Sequence, residues 1–321
     1  MSNEVVTITP APAVDWTVRV DTFEVDGVNR IVESSREAAG KGLNVSRAVR
    51  RAGVPSRAIF PAGGDSGRFL ARELDRLDIP HVVVDTGREV RTNITLLAPG
   101  STTKINEPGT PLTSEDLASL VAKGVEACRD AELVLVAGTL PAEVPPEFLT
   151  RLIEALQAQG RPVWVDTSGP ALAAAVAAGP ALIKPNVHEL AELTGRDITT
   201  FGEVAEAART VLPADPAAVV LASMGGDGSM LVGHQDTLLA RSRDIPLVNT
   251  VGAGDALLAG FAAATVEGLT PADRLARAAL WGASAVASPT TSFEPDPDFV
   301  ARITVTGLDC ADDPLGEPAT R

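Results

Sequence analysis

The sequence is poor in cysteine, in histidine and in positive charge, and it contains no long apolar run. Its 321 residues include only two cysteines, Cys128 and Cys310, which excludes a framework of disulfide bonds. No stretch approaches the roughly 20 apolar residues that span a bilayer. The first residues also lack the basic and apolar pattern of a secretory leader. We therefore expect a soluble protein of the cytoplasm.

The charge balance argues against nucleic acids and membrane surfaces as partners. The 42 acidic residues exceed the 27 basic residues and give a formal net charge of -15. Such a surplus repels phosphate backbones and anionic lipids. Any anionic substrate must therefore be held by a local cluster of basic side chains.

From Leu133 onward, short β-branched segments alternate with longer amphipathic ones. Apolar strands separated by helices predict parallel βαβ units with helices on both faces of the sheet. Ligands of such sheets bind beyond the carboxyl ends of the strands. The predicted fold class is therefore α/β. Strands are expected at 133–137, 162–166 and 181–184, and helices at 147–159, 171–178 and 187–194.

Two stretches of the first third, at about 11–39 and 88–108, contain short β-like segments separated by turns. Helical patterns between them fit the main body. We expect one domain over residues 1–303, from which these stretches project as a small β-sheet lid; an ordinary surface meander explains the same pattern. Residues 304–321 are acidic and polar with Gly and Pro, and they are expected to form a loose tail.

The most informative motif is the glycine turn Thr250-Val251-Gly252-Ala253-Gly254-Asp255-Ala256, which precedes a helical run. Two glycines let successive N–H groups point at one spot, and the start of the helix adds its positive dipole end. This geometry holds an anion. Asp255 is then a candidate general base for an attacking hydroxyl, while the amides stabilise a moving phosphoryl group. A role as helix cap explains Asp255 as well.

Two further segments carry candidate site residues. The glycine loop Ser223-Met224-Gly225-Gly226-Asp227-Gly228 follows a strand-like segment and suits nucleotide phosphates or ribose, although a glycine-rich hairpin has the same pattern. The segment Lys184-Pro185-Asn186-Val187-His188-Glu189 ends a strand and begins a helix. Its Glu189 can hold magnesium through water, or it can complete a capping box with Asn186.

Positive charge is concentrated in the segment 28–60, which has seven basic and two acidic residues. Arg91 and Lys104 follow on the later lid-like strands. Arginine binds phosphate as a bidentate fork, so this region suits an acceptor that already carries a phosphate. Lys41 stands between two glycines just before a helix. A solvated face of that helix is expected for three arginines, namely Arg47, Arg50 and Arg51.

Several common motifs are absent from the sequence. A Walker A loop is excluded because Ser35 stands at its first glycine position and Gly42 follows Lys41. The dinucleotide-binding fingerprint is excluded because Leu257 occupies its last glycine position. The three histidines are scattered, which argues against a zinc site.

In this combination and order, the motifs resemble those of the ribokinase-like carbohydrate kinases, also called the phosphofructokinase B family. The resemblance covers nearly the whole chain and rests on the glycine turn at 250–256 and the segment Gly40-Lys41-Gly42-Leu43-Asn44 with Val45-Ser46-Arg47-Ala48. Gly138-Thr139-Leu140-Pro141 and the two segments at 184–189 and 223–228 complete the set. The resemblance implies a Rossmann-type three-layer body with a β lid. It also implies transfer of the γ-phosphoryl group of ATP, with Mg²⁺, to a sugar hydroxyl activated by Asp255.

The resemblance assigns roles to individual residues. The catalytic set is Asp255 with the turn Gly252, Ala253 and Gly254. ATP is assigned to Lys184, Asn186, Ser223, Gly225, Gly226, Asp227, Gly228, Thr250 and Gly254, with Glu189 on magnesium through water. The substrate-binding set is Asp15, Arg30, Gly40, Lys41, Asn44, Arg91, Asn93 and Lys104. Within it, Asp15, Gly40 and Asn44 hold sugar hydroxyls, whereas Arg30, Lys41, Arg91 and Lys104 surround the phosphate already on the sugar.

Several stretches resemble the branch of the family that acts on phosphosugars, above all Thr103-Lys104-Ile105-Asn106-Glu107-Pro108-Gly109. The implied reaction converts D-fructose 1-phosphate to fructose 1,6-bisphosphate. Ala11 and Ala39 depart from the branch pattern, so tagatose 6-phosphate and fructose 6-phosphate are alternative acceptors. A non-catalytic sugar-phosphate sensor is the alternative of another class. The open edges of a small sheet further predict a homodimer formed through the lid.

Overall fold

Fourteen strands and nine helices form within residues 3–290 and 292–316, the part of the chain that the computed structural model describes. The strands are β1 Val5–Ile8, β2 Ala13–Val20, β3 Ile31–Ala39, β4 Ser56–Ala62, β5 His81–Asp85, β6 Arg91–Ala98, β7 Ser101–Asn106, β8 Leu133–Ala137, β9 Val163–Asp166, β10 Leu182–Ile183, β11 Val219–Ser223, β12 Ser229–Val232, β13 Thr237–Ser242 and β14 Ile303–Gly307. The helices are α1 Lys41–Arg51, α2 Gly64–Arg76, α3 Ser114–Cys128, α4 Glu147–Gln157, α5 Pro170–Ala177, α6 Val187–Thr194, α7 Phe201–Thr210, α8 Ala253–Val266 and α9 Pro271–Val286.

The main sheet of the described residues has ten strands in the order β14-β13-β12-β11-β10-β9-β8-β1-β4-β5. The seven strands from β11 to β5 run parallel, and β12, β13 and β14 add an antiparallel edge. Every residue of β1 and β8 is buried, as expected for apolar strands covered on both faces. The predicted α/β class is confirmed.

Helices cover both faces of this sheet and make the body three layers thick. Neighbouring residues of β8 point to opposite faces. Val136 packs with Leu152 of α4 in a core shared with α3, α5, α6 and α7. Leu135 packs with Leu258 of α8 in a second core shared with α1 and α9. The carboxyl ends of the parallel strands therefore lie between the two helical layers.

The two predicted lid stretches pair with each other in a second, four-stranded sheet of order β3-β2-β6-β7. Strand β2 runs parallel to β6, with Asp15 opposite Asn93 and Trp16 opposite Ile94. Because side chains alternate along a strand, Asp15 and Asn93 share one face and the two apolar residues share the other. The small sheet is thus present, with a polar and an apolar face.

The predicted loose tail over 304–321 is wrong for the residues that the structure describes. The chain enters the main sheet as β14, which pairs with β13. It then runs along the start of α7, where Ala311 O accepts a 2.8 Å hydrogen bond from Gly202 N. Polar composition did not reveal these backbone pairings. Residues 317–321 lie outside the described part of the chain.

The expected solvated face of α1 is wrong for Arg47. This side chain is buried, and its Nη2 donates to Ala38 O at the end of β3. Glu37 lies 3.9 Å from its Nη1, and burial lowers the pKa of Arg47. The lid strand crosses this side of the helix, which local periodicity does not show. Arg51 stays exposed and donates to Phe293 O at 3.0 Å.

Among the helices of the described residues, none is both long enough and apolar enough to cross a bilayer.

Candidate active site

Residues from five separate segments meet at the carboxyl edge of the parallel strands, where the fold places ligands. They are Thr9 after β1, Lys41 and Asn44 at the start of α1, Asp166 at the end of β9, Lys184 after β10, and the first turn of α8.

Asp255 lies in the first turn of α8 with its carboxylate buried. The helix begins after Gly252, whose φ of 80° is left-handed, and no side chain caps this end of the helix. The Asp255 carboxylate instead accepts a 2.8 Å hydrogen bond from Asn44 Nδ2. The capping alternative for Asp255 is therefore wrong, and its second oxygen is left for another partner.

Asp166 links this turn to two lysines and was not identified from the sequence. Its side chain is completely buried, with Lys41 Nζ 2.8 Å from Oδ1 and Lys184 Nζ 3.4 Å from Oδ2. A buried carboxylate needs such partners. The sequence signal that could have identified Asp166 is its position as the last residue of a buried strand in an α/β sheet.

The charges at this edge act on one another. Burial raises the pKa of Asp255 to about 6, and the negative charge of Asp166 adds to the rise. Both lysine ammonium groups and the Asn44 amide act in the opposite direction. For Lys41, burial lowers the pKa, but Asp166 and Asp255 outweigh it and leave the pKa above its ordinary value. A carboxylate that titrates near neutral pH beside fixed positive charge is suited to general base catalysis.

The amide turn at the start of α8 is open to an anion. The first intrahelical bond of the turn runs from Ala256 N to Gly252 O, so the amides of Gly254 and Asp255 precede it. Ala253 N is less free because it donates to Thr250 O at 3.4 Å. A Cβ at Gly254 would lie 3.3 Å from Lys184 Nζ. Glycine at this position thus lets the ammonium group approach the turn.

A second group of predicted residues lies where the lid joins the body. Asn93 Nδ2 donates a 3.0 Å hydrogen bond to Asp15 Oδ1, and Arg91 Nη2 donates to Ala11 O at 3.3 Å. Burial raises the pKa of Asp15, against the hydrogen bond from Asn93. Arg91 Nε and Asn93 Oδ1 are buried without a hydrogen-bond partner among the described residues. Buried polar atoms are normally paired, so this group is built to receive a polar ligand.

Gly40 connects the two groups because it directly follows β3 and directly precedes Lys41. Its φ of 128° is a conformation that side chains rarely adopt, and a Cβ would meet Thr9 Cγ2 at 2.8 Å and Pro12 Cα at 3.3 Å. Glycine is therefore required for this close approach of the lid strand to the strand-end loop.

Two positive charges do not lie where the resemblance placed them. Lys41 belongs to the Asp166 and Asp255 group, whereas the charge of Arg91 acts on Asp15. Arg30 is exposed and precedes β3 at the end opposite Gly40, about 30 Å away along an extended strand. Within one chain the length of β3 separates Arg30 from this site, and its contact with a substrate stays a prediction.

Lys104 is exposed on β7, opposite Thr95. Thr95 pairs in turn with Thr17 of β2, two residues beyond Asp15. The register thus places Lys104 on the polar face of the lid that carries Asp15 and Asn93, farther from the body. Its contact with a substrate stays a prediction.

The second glycine loop is a hairpin between β11 and β12, and its residues divide into two groups. Gly225 and Gly226 are exposed, and a Cβ at either would meet no atom within 4 Å. Gly228, with a φ of 109°, packs against Ala240 O. The Asp227 carboxylate accepts a 3.0 Å hydrogen bond from Gly316 N. Gly225 and Gly226 therefore offer the open part of the loop to a ligand, and Ser223 is bridged to Asn186 at its base.

The segment from Lys184 to Glu189 forms the predicted capping box. Glu189 Oε2 accepts from Asn186 N, and Asn186 Oδ1 accepts from Glu189 N, both at 2.9 Å. The charge of Glu189 also contributes to the raised pKa of Lys41, so its carboxylate lies within electrostatic range of the site. Within residues 3–290 and 292–316, no group of three or more His, Cys, Asp or Glu side chains is arranged to hold a metal. The magnesium role of Glu189 stays a prediction, as does the ATP role of the exposed Thr250.

An open amide turn, a buried carboxylate of raised pKa and two ammonium groups meet at one edge of the main sheet, and this combination is suited to phosphoryl transfer. The family model described as pfkB family carbohydrate kinase matches residues 3–298. The chain belongs to this family and is a phosphotransferase with an alcohol group as acceptor.

Known proteins of this family resemble the chain over most of its length. The 1-phosphofructokinase of Bacillus subtilis (strain 168) is 34% identical over 257 residues, which are 80% of this chain and 84% of that protein. Phosphofructokinase-2 from Escherichia coli in complex with fructose-6-phosphate superposes with a TM-score of 0.83 at 29% identity, covering 88% of this chain and 93% of that chain. Arabidopsis thaliana ribokinase, complexed with ribose and ATP, has a TM-score of 0.72 at 22% identity over 94% of this chain and 98% of that chain, and it supports the fold alone.

The Asp255→Asn variant is expected to melt at a higher temperature than the wild type at alkaline pH. The pKa of Asp255 rises from 3.8 to about 6 on folding, so its contribution to stability is present below pH 3.8 and is lost as the pH rises through about 6. Asparagine stays neutral, so the two melting temperatures should separate above pH 6 and converge toward pH 4. Calorimetry across this range measures the difference, with exposed Asp236→Asn as the control. A difference that does not vary with pH would contradict the raised pKa.

Proposed function

We propose that this chain is an ATP-dependent sugar-phosphate kinase that phosphorylates D-fructose 1-phosphate at its 6-hydroxyl to give fructose 1,6-bisphosphate. The observation that carries the proposal is the buried Asp255 carboxylate, bonded on one oxygen to Asn44 and adjoining the open amides of α8. The choice of acceptor is supported by the relatives named 1-phosphofructokinase, which are 32 to 35% identical to this chain.

In the proposed reaction, Asp255 accepts the proton of the acceptor hydroxyl while that oxygen attacks the γ-phosphorus of ATP. The bond to the β,γ-bridging oxygen breaks, and ADP leaves. Asn44 holds one carboxylate oxygen at 2.8 Å and leaves the other for the hydroxyl. The amides of Gly254 and Asp255 receive the oxygens of the transferring group.

The two lysines supply positive charge where the transferring group carries negative charge. Lys41 and Lys184 contact different oxygens of the Asp166 carboxylate, which holds both ammonium groups at the site. The raised pKa of Lys41 keeps it protonated throughout the neutral range. Fixed charges of this kind need no reorganisation during the reaction and therefore favour the transition state.

The acceptor end is formed by Asp15, Asn93 and Arg91. Asp15 and Asn93 are bonded to each other and offer a carboxylate and a buried carbonyl oxygen to sugar hydroxyls. The unpartnered Nε of Arg91 is a donor for the phosphate that the acceptor already carries. Gly40 and Asn44, at the start of α1, connect this group with Asp255. This connection sets the distance between the phosphate already on the acceptor and the hydroxyl that is phosphorylated.

Magnesium fits this site as an ion whose ligands are mainly the nucleotide phosphates and water, with few from the protein. The charge of Glu189 acts on Lys41, and its side chain uses only Oε2 in the capping box, which leaves Oε1 for a water of the ion. Mg²⁺ retains several waters and takes few protein ligands when phosphates are present. When bound, the ion neutralises charge on the phosphates, while the protein residues position the acceptor and move its proton.

Asp255→Asn is expected to lower kcat by about 10²- to 10⁴-fold while ATP binding changes little. The amide keeps the shape of the site and an acceptor for Asn44, but it cannot take up a proton, and a general base typically contributes 10²- to 10⁴-fold. A coupled assay of ADP release gives kcat, and calorimetry gives the ATP dissociation constant. Asp236→Asn is again the control. A variant that retains a tenth of the wild-type turnover would refute the base assignment.

Arg91→Ala is expected to raise the KM for the phosphosugar at least tenfold and to leave the KM for ATP unchanged. The reason is loss of a charged hydrogen-bond donor to the acceptor phosphate. Arg36→Ala is the matched control, because Arg36 lies on the other face of the lid with its guanidinium 4.6 Å from the Trp16 ring centroid. Equal effects of the Arg91 variant on both KM values would place it outside the acceptor site.

The same assay decides the acceptor when it is run over a panel of sugar phosphates. Fructose 1-phosphate is expected to give the highest kcat/KM. Fructose 6-phosphate is the second candidate because a structure of similar fold, Escherichia coli phosphofructokinase-2, was solved with it. Tagatose 6-phosphate completes the panel. Absence of ADP release with every sugar would favour the sensor alternative.

A homodimer through the lid is also part of the proposal. Its support is the exposed apolar residues Ile31, Val32 and Ile105, which are 49%, 51% and 56% accessible on the two edge strands of the small sheet. We expect Ile105→Asp to convert a dimer to a monomer, because a charge in an apolar interface loses its hydration. Light scattering after gel filtration measures the mass. The control is Val300→Asp, at a 58% accessible site on the body, and a monomeric wild type would contradict the prediction.

A further inference from the structure

Residues 308–316, which we call the C-terminal strap, connect helix α7 with the second glycine loop. The strap follows β14 and lies across the start of α7. Its apolar residues Leu308, Cys310 and Leu315 pack against the core on this face of the sheet. The strap is therefore an ordered part of the body and not a free tail.

At its body end the strap is held mainly through its backbone. Ala311 O and Asp313 O accept hydrogen bonds from Gly202 N and Phe201 N at 2.8 and 3.3 Å, which satisfies two first-turn amides of α7. Leu315 N donates to Thr199 O at 2.8 Å, so both sides of this helix start are engaged. A side chain at position 202 would collide with Ala311 O, since its Cβ would lie 2.9 Å away.

At its other end the strap reaches the glycine loop through one hydrogen bond, from Gly316 N to Asp227 Oδ2 at 3.0 Å. The Asp227 amide meanwhile donates within the loop to Met224 O at 3.1 Å. Asp227 therefore ties the loop to the strap with its side chain and closes the loop with its backbone. The neighbouring Gly225 and Gly226 are left open to a ligand.

We propose that Asp227 is a positioning residue, which uses the C-terminal strap to hold the glycine loop in the shape that receives the phosphates of a nucleotide. The proposal rests on the proposed function, because it takes the glycine loop, which the resemblance assigns to ATP, as the nucleotide-binding loop of that kinase. It replaces the role that the resemblance gave to Asp227, namely direct contact with ATP.

Because Asp227 is negatively charged, a positioning role and direct contact with ATP predict opposite effects of removing its carboxylate. ATP is an anion, and a carboxylate that faced it would weaken its binding by repulsion. Removal of the carboxylate should then tighten ATP binding if only charge matters. If the carboxylate holds the loop to the strap, its removal should weaken ATP binding in spite of the lost negative charge.

The test is a double-mutant cycle on the ATP dissociation constant, measured by calorimetry with a non-hydrolysable ATP analogue and Mg²⁺. The variants are Asp227→Ala, a truncation after Ala311 that removes the Gly316 contact, and the two combined. We expect each single change to weaken binding about tenfold, the effect of losing one hydrogen bond to a charged group. The combined variant should also be weakened about tenfold, because both changes break the same link.

Asp227→Asn is the conservative variant, since its amide oxygen can still accept from Gly316 N. We expect it to bind the analogue at least as tightly as the wild type. Asp312→Ala is the matched control, because it removes one negative charge from an exposed position of the same strap. The KM for the sugar phosphate should stay within twofold in all variants.

Three results would overturn the proposal. The first is an ATP dissociation constant raised about a hundredfold in the combined variant, which means that the two effects multiply. The second is a dissociation constant that neither single variant changes. The third is an equal loss of affinity in Asp227→Ala and Asp227→Asn. If the truncated chain melts below the assay temperature, the Asp227→Ala and Asp227→Asn pair decides alone. Failure of the proposed function is a separate result, because a wild type that binds the analogue but phosphorylates no sugar still allows the cycle to be read.

Discussion

The candidate active site at the carboxyl edge of the parallel strands depends on one buried carboxylate that is paired with two lysines. Asp166 has no exposed side-chain surface, so its charge is tolerated only because Lys41 and Lys184 neutralise it. The two lysines come from segments far apart in the chain, and the pairing draws the start of α1 towards the end of β10. The same pairing fixes positive charge next to Asp255 and the amide turn. Stability and chemistry therefore share one network at this edge of the sheet.

This network also explains how the Asp255 carboxylate can be buried and still titrate near neutral pH. Burial and the neighbouring Asp166 favour the protonated form of Asp255, while the lysines and Asn44 favour the charged form. The balance raises the pKa of Asp255 to about 6, and without the lysines the rise would be larger. Asp166 thus acts on Asp255 twice, directly by repulsion and indirectly through the lysines that it holds.

The sequence predicted the parts of the site that are local in the chain. A glycine turn and the helix that follows it are neighbours in sequence, which is why Asp255 and its amide turn could be found from the pattern alone. Asp166 was missed because its partner Lys41 is 125 positions away. Arg47 was misjudged for a similar reason, since the lid strand that buries it is not visible in the periodicity of its helix. The tail was misjudged because composition reports side chains, whereas the strap is held mainly by its backbone.

The two departures from the phosphosugar pattern can now be placed in the fold. Ala11 is buried, and its carbonyl accepts from Arg91, so position 11 contributes to this group through its backbone. Ala39 is the last residue of β3, and Gly40, which follows it, carries the left-handed conformation that needs glycine. Alanine at position 39 therefore brings no backbone strain. Both departures lie beside Arg91 or at the end of β3, and they leave the Asp255, Lys41 and Lys184 group unchanged. In the proposed reaction they therefore bear on the choice of sugar phosphate and not on the transfer of the phosphoryl group.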